Sequence, residues 1–270
     1  MAFIQVNGVN LYYEISGEGT ETILFSHGLL LNAHLYDAQV AYFSPRYRCI
    51  VYEHRNHGRS SDSPHSFDIE TLYADAVELI EKLGIAPCHF VGLSMGGFVG
   101  MRIAARRPDL LRSCVLLNTS ADIEPRAFRF GLLNLIAKIF GLRPVVDTVI
   151  ELMFGKSFLN DPSKAKLRLA WREHVLNNRR SITQAVRAVL QRQRILEELS
   201  QISIPVLIIA GEEDLATPPH ESEKIREKIP HALYYCLPHV GHLSTIEAPD
   251  IVNKYIETFL EEVRARSRTK

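Results

Sequence analysis

The chain has 270 residues, 46% of them hydrophobic, with 31 Lys+Arg set against 31 Asp+Glu. That is enough for one large globular domain, or one domain with an insertion, and the balanced charge carries no basic excess of the kind nucleic-acid binding requires. No uninterrupted apolar stretch approaches the ~20 residues of a membrane span, and the opening residues lack a basic segment followed by a long apolar run; a cytoplasmic location is expected.

Taken in chain order, the first element is "FIQVNGVNLYYEI", two alternating runs joined by Asn7-Gly8, the dipeptide that most favours a tight hairpin. The pattern then changes to apolar runs separated by loops and amphipathic stretches: "TILFSHG" (22–28), "CIVYEHR" (49–55), "CHFVGLS" (88–94), "SCVLLNT" (113–119), "IPVLIIAGEED" (204–214) and "ALYYCLP" (232–238). Such runs fit strands buried on both faces. Residues 68–84, "DIETLYADAVELIEKLG", have apolar positions at helical spacing and end on Gly84 as a C-terminal cap. Strands alternating with helices imply an α/β fold with a mostly parallel central sheet, an N-terminal antiparallel hairpin and flanking helices.

Between Asp122 and Ile204 the chain carries no strand pattern and reads as several helices separated by Gly131, Gly141–Pro144, Gly155 and Asp161-Pro162. A loop between a strand and a helix usually spans ~2–6 residues. Residues 123–200 are therefore expected to be an inserted helical cap, with 1–122 and 201–270 forming the core. The four cysteines, Cys49, Cys88, Cys114 and Cys236, lie in strand-like runs without metal-ligand spacing and are expected to be reduced and buried.

In "HFVGLSMGGFVG" (89–100) a serine sits between glycines where a strand should give way to a helix. Gly92 and Gly96 would allow a turn tight enough to lift the Ser94 hydroxyl clear of the sheet. Ligands of parallel sheets sit at the carboxyl ends of the strands, and two further chemical groups follow strand ends: Asp214 after "IPVLIIAGEE" and His242 after "ALYYCLPHVG". A serine hydroxyl needs an adjacent base, which an imidazole supplies near neutral pH, and a carboxylate on its far nitrogen fixes the tautomer.

With the pieces "SHGLL" (26–30), "YEHRNHGRSS" (52–61), "GLSMGG" (92–97), "GEEDLATPP" (211–219) and "GHLSTIEAP" (241–249), the chain resembles α/β-hydrolases of the esterase, lactonase and cofactor-free haloperoxidase branch. "GEEDLATPP" and "GHLS" are especially similar to 3-oxoadipate enol-lactonases. The resemblance implies an α/β-hydrolase fold, a Ser94–His242–Asp214 triad, and an oxyanion hole made by the main-chain N–H groups of Leu29 and Met95. His27 and His57 would organise loops. His239 is a rival to His242, and Glu213 and Asp122 are rivals to Asp214. Asn56 stands where the family usually has glycine, and Asn tolerates positive φ better than most residues.

The expected activity is hydrolysis of a carboxylic ester or lactone through an acyl-serine. Carbon–carbon bond hydrolysis, perhydrolysis and a non-catalytic small-ligand receptor are the competing readings. None implies a cofactor or metal; the expected partner is a small molecule, with the chain a monomer or homodimer. Residues 123–200 hold 14 Lys+Arg against 7 Asp+Glu. Arg168, Arg172, Arg179, Arg187 and Arg194 suit an outer face of that segment, pairing with acids of the core. Leu167, Trp171, Val175, Val186 and Leu190 would form an apolar ceiling, whereas the Phe/Leu cluster at 128–140 reads as packing. Uncharged short to medium acyl esters are the expected substrates, with modest electrostatic help for carboxylate-bearing ones at low salt.

Overall fold

The computed structural model describes residues 2–268. Asn7 and Gly8 take φ of 42° and 77°, the mirror-image turn whose twist suits a hairpin. They join β1 (Ala2–Val6) to β2 (Val9–Ser16) in an antiparallel pair. The remaining strands are β3 (Thr22–Ser26), β4 (Arg48–Tyr52), β5 (Cys88–Leu93), β6 (Leu111–Leu117), β7 (Val206–Gly211) and β8 (Leu233–Leu237). They complete one eight-stranded sheet in the order β1-β2-β4-β3-β5-β6-β7-β8. Only β1–β2 and β2–β4 pair antiparallel; the other five pairings are parallel. Every residue of β3, β5 and β7 is buried, which is why those segments read as continuous apolar runs rather than alternating ones.

Helices α1 (Asp37–Phe43), α2 (Ile69–Leu83) and α3 (Met95–Arg106) follow the first strands. The Asp68 carboxylate accepts the Thr71 amide to start α2, and Gly84 at φ 59° ends it, as the 68–84 pattern predicts. Leu72, Leu79 and Ile80 of α2 are fully buried, each stabilising by roughly 1.5–3 kcal/mol.

Between β6 and β7 the chain is helical: α4 (Ala127–Phe140), α5 (Val146–Met153), α6 (Lys156–Asn160), α7 (Ala165–Leu176) and α8 (Ile182–Leu190). Gly141 and Gly155 fall between helices, but Gly131 does not divide one. It lies inside α4 with nothing within 4 Å of where a Cβ would be, and an isolated glycine costs only about 1 kcal/mol relative to alanine, too little to end a helix packed on one face. Of the arginines expected to pair with acids of the core, Arg179 reaches Asp62 at 3.0 Å and Arg194 contacts Asp122, whereas Arg172 pairs with Asp147 inside the segment at 2.9 Å. Helices α9 (Pro219–Lys228), α10 (Ser244–Glu247) and α11 (Pro249–Arg268) complete the fold. Among the described residues no helix is long and apolar enough to cross a membrane. All four cysteines are free; Cys49, Cys88 and Cys114 are buried, but Cys236 is exposed, because β8 is the sheet's last strand and lacks a neighbour on its outer side.

Candidate active site

Strands β3 and β5 are neighbours, yet the chain leaves β3 for β4 on one side and β5 for β6 on the other. Loops that diverge in this way open a crevice at the strands' carboxyl ends. Ser94 sits there, between β5 and α3, with φ 53° and ψ −112°, a conformation costing a non-glycine residue about 1–3 kcal/mol. Its surroundings hold it in place. Its N–H donates to Leu117 O at 2.9 Å, and its carbonyl accepts from Thr119 Oγ1 at 2.8 Å and from the Phe98 amide at 3.0 Å. A Cβ on Gly92 would strike the Gly96 carbonyl, and one on Gly96 would strike the Ser26 carbonyl of β3. The Gly-x-Ser-x-Gly spacing is thus a consequence of backbone packed against backbone.

His242 follows β8 and is 7% exposed. Its Nδ1 lies 2.8 Å from Asp214 Oδ2 in the loop after β7. Asp214 is held from several sides: Oδ1 accepts the amides of Ala216 and Thr217, and Oδ2 accepts from Thr217 Oγ1 at 2.9 Å and Asn118 Nδ2 at 3.0 Å. Asn118 Nδ2 also donates to Gly241 O, tying the acid's loop to the histidine's. The rivals are placed elsewhere. Asp122 contacts Lys224 at 3.4 Å, Glu213 accepts the Ser157 amide and hydroxyl at 2.7 Å, and the His239 side chain is 77% exposed.

The loop carrying His242 crosses the start of α6 so closely that a Cβ on Gly241 would overlap Gly155. Glu247 secures the crossing, accepting the amides of Gly155 and Gly241 on Oε2 and of Leu243 on Oε1. Burial pushes its carboxyl up to about 7, against the pull of those three amides. On the opposite side, the His27 ring bridges two loops. Its Nδ1–H donates to Gly28 O at 2.8 Å, leaving Nε2 to accept the His54 amide at 3.0 Å. His57 donates from Nδ1 to Arg55 O at 3.0 Å, and Asn56 takes φ 64°, as its substitution for glycine demands. The loop-organising parts expected of His27 and His57 are met by these bonds. Arg55 in turn makes a two-pronged, fully buried pair with Asp75 of α2, at 2.7 and 2.6 Å.

These histidines are buried neutral, and that has a consequence for stability. Burial lowers His27 to about 4, His57 to about 3 and His89 to about 4, and takes His54 well below its ordinary value. Unfolding frees each to take up a proton below pH ~6.5, so stability falls as the solution is acidified from about 6.5 towards 4, by up to ~1.4 kcal/mol per pH unit per histidine. Glu247 acts in the opposite sense, since its raised carboxyl binds its proton more readily folded than unfolded; one group against four does not reverse the trend. Thermal unfolding followed between pH 7 and 5.5, above the range where ordinary carboxylates titrate, should show a fall in Tm. A flat profile there would mean that the cluster is not kept neutral.

Ser94, Leu29, Thr217 and His242 open onto one cavity, walled mainly by apolar side chains of α4, α5 and α8. Met95 is the first residue of α3, so its N–H has no carbonyl within the helix to bond, and among the described residues neither it nor the Leu29 N–H is engaged by another group. Ser94 Oγ makes no hydrogen bond to His242 here, a separation that such pairs often close only when substrate is bound. The ceiling differs from expectation. Val186 and Leu190 of α8 line it, as do Phe130, Leu133 and Ala137 of the 128–140 cluster, whereas Trp171 and Val175 of α7 are buried away from the cavity and Leu167 is 38% exposed. Helix α7 packs on α5 and so is one layer removed. Sequence reasoning did not single out Asn118, Thr217, Glu124 or Arg192. Asn118 was findable as the residue that follows β6, as Ser94 follows β5; the others carry no comparable mark.

A family model described as "alpha/beta hydrolase fold" matches residues 21–249. 3-Oxoadipate enol-lactonase 2 of Acinetobacter baylyi is 28% identical over 255 residues, covering 94% of this chain and 94% of that protein. The crystal structure of the enol-lactonase from Burkholderia xenovorans LB400 superposes with a TM-score of 0.90 at 29% identity, covering 96% of this chain and all of that one. A thermophilic esterase from Thermogutta terrifontis does so with a TM-score of 0.88 at 25% identity, over 97% of each chain.

Proposed function

The chain belongs to the alpha/beta hydrolase fold family, and from that premise we propose that it cleaves carboxylic esters or lactones through an acyl-serine, with Ser94 as nucleophile, His242 as base and Asp214 as the acid that orients it. One observation carries this reading: Ser94 and His242 face the same cavity while Asp214 occupies the far nitrogen of the imidazole at 2.8 Å. Asp214 keeps the proton on Nδ1, which leaves the Nε2 lone pair to take the Ser94 proton as Oγ attacks the carbonyl. The resulting oxyanion lies between the Leu29 and Met95 amides. Collapse expels the alkoxide, which takes the proton from His242; water then attacks the acyl-serine with the same base, releasing the acid and restoring Ser94. Residues 123–200 act as the lid over this cavity, with α4 and α8 as its ceiling. The apolar walls favour an uncharged acyl group, and the family resemblance to lactonases extends the substrate class to cyclic esters.

The test is turnover. Purified protein should hydrolyse 4-nitrophenyl butyrate over many cycles, and a fluorophosphonate probe should attach to Ser94 alone, as read by peptide mass. Release of a single equivalent of nitrophenol with no further reaction would mean a receptor that traps its ligand, and labelling of any other residue would remove Ser94 from its role.

A further inference from the structure

Inside the cavity sits an ion pair that the proposed chemistry does not use. Arg192 and Glu124 both line it, with side chains only 4% and 7% exposed, and the guanidinium lies 3.3 Å from Glu124 Oε2 through both Nη1 and Nη2. Each nitrogen of Arg192 is occupied: Nε donates to Asp122 O at 2.8 Å and Nη1 also donates to Val189 O at 3.0 Å. The plane lies over the Phe98 ring at 4.7 Å. Phe98 bonds back to Ser94 and stands four residues after it, so Arg192 stacks on the side chain one helical turn beyond the proposed nucleophile. Glu124 is itself anchored, its Oε1 accepting from the Arg126 amide and Nε at 3.2 Å.

A guanidinium beside an apolar cavity is an anion site unless something neutralises it, because an unpaired buried charge is strongly disfavoured. Here the chain supplies its own counterion. We infer that Glu124 is a specificity residue: by holding Arg192 it closes a carboxylate subsite over the Phe98 ring, in the cavity that Ser94 faces, and restricts the acyl pocket to groups without a terminal charge. This deepens the ester-hydrolase reading above and rests on it. It also replaces the expectation that carboxylate-bearing substrates are helped, since the charge nearest the acyl path is a neutralised pair rather than a free cation.

Two esters of the same acyl length read the subsite directly: 4-nitrophenyl pentanoate and the 4-nitrophenyl monoester of glutaric acid, which differs by its terminal carboxylate. In the wild type kcat/KM for the charged ester should be at least about tenfold lower. Glu124→Gln keeps the shape and the hydrogen-bonding oxygen but removes the negative charge, and should raise the charged-to-neutral ratio by about tenfold or more, the scale of a charge-assisted hydrogen bond. Adding Arg192→Met should abolish that gain, which a merely structural role for Glu124 would not produce. Equal kcat/KM for the two esters in the wild type overturns the inference without any variant, as does a ratio unchanged in folded Glu124→Gln. Calorimetric titration with glutarate needs no turnover: binding to Glu124→Gln, and none to the wild type or the double variant, supports the subsite even if neither ester is hydrolysed, a result that would count against the proposed activity alone. Glutarate binding to the wild type as tightly as to Glu124→Gln overturns the subsite.

Discussion

Ser94→Ala is expected to lower kcat on a chromogenic ester by up to ~10⁶, the scale at which loss of the nucleophile disables a serine hydrolase, and to leave the unfolding transition in place. The two halves of that expectation have separate origins. In the proposed mechanism activity depends on Oγ, the atom that forms the acyl bond. Stability depends on the main chain of residue 94, whose N–H and carbonyl are bonded to Leu117, Thr119 and Phe98, and alanine keeps all of those. The positive φ of 53° costs alanine about as much as it costs serine. A variant that retained a hundredth of wild-type kcat would show that Oγ is not the attacking atom, and one that lost its cooperative unfolding would show that the hydroxyl is structural.

Asp214→Asn should reduce kcat by about 10⁴, the second largest effect. Asparagine can still accept the amides of Ala216 and Thr217 through its oxygen, so the loop after β7 keeps its form. Towards His242 Nδ1 it would present an NH₂ group instead of a carboxylate oxygen. That moves the imidazole proton to Nε2, where it blocks proton removal from Ser94, and takes away the negative charge that stabilises the imidazolium. Asp122→Asn is the matched control: its carboxylate faces Lys224 and Arg194 rather than His242, and kcat should stay within a factor of about two. A larger loss at Asp122 than at Asp214 would assign the acid to the earlier strand.

Part of this architecture follows from local chemistry that a sequence displays. Asn7-Gly8 dictates a hairpin because both residues accept positive φ; the apolar runs dictate strands, interior ones except for 232–238, which forms the part-exposed edge strand β8; and the Asp68 to Gly84 segment carries its own caps. Ser94, Asp214 and His242 were legible for a related reason, since each follows a strand and parallel strands deliver their carboxyl ends to one side. Helix α4 shows where such reading weakens. Gly131 resembles a break, but a helix whose one face lines a cavity gains more from packing than a single glycine takes away. Cys236 resembles its three buried counterparts, but only strand order decides that β8 has an open side.

The sequence by itself determined the hairpin, the strand runs, the 68–84 helix and the positions of Ser94, Asp214 and His242 after strand ends, because hydrophobic period, turn chemistry and position after a strand act over a few residues. Only the tertiary structure decided that Asn118 and Thr217 clamp Asp214, that Glu247 fastens the His242 loop to Gly155, that α4 and α8 rather than α7 roof the cavity, and that Glu124 neutralises Arg192 inside it. One physical reason covers nearly all of these. Apart from Thr217, which reaches Asp214 within one loop, each depends on groups from different elements, 68 residues apart along the chain for Glu124 and Arg192, meeting at hydrogen-bond or van der Waals distance, and such contacts leave no periodicity in the chain because either partner alone is an ordinary polar or apolar residue.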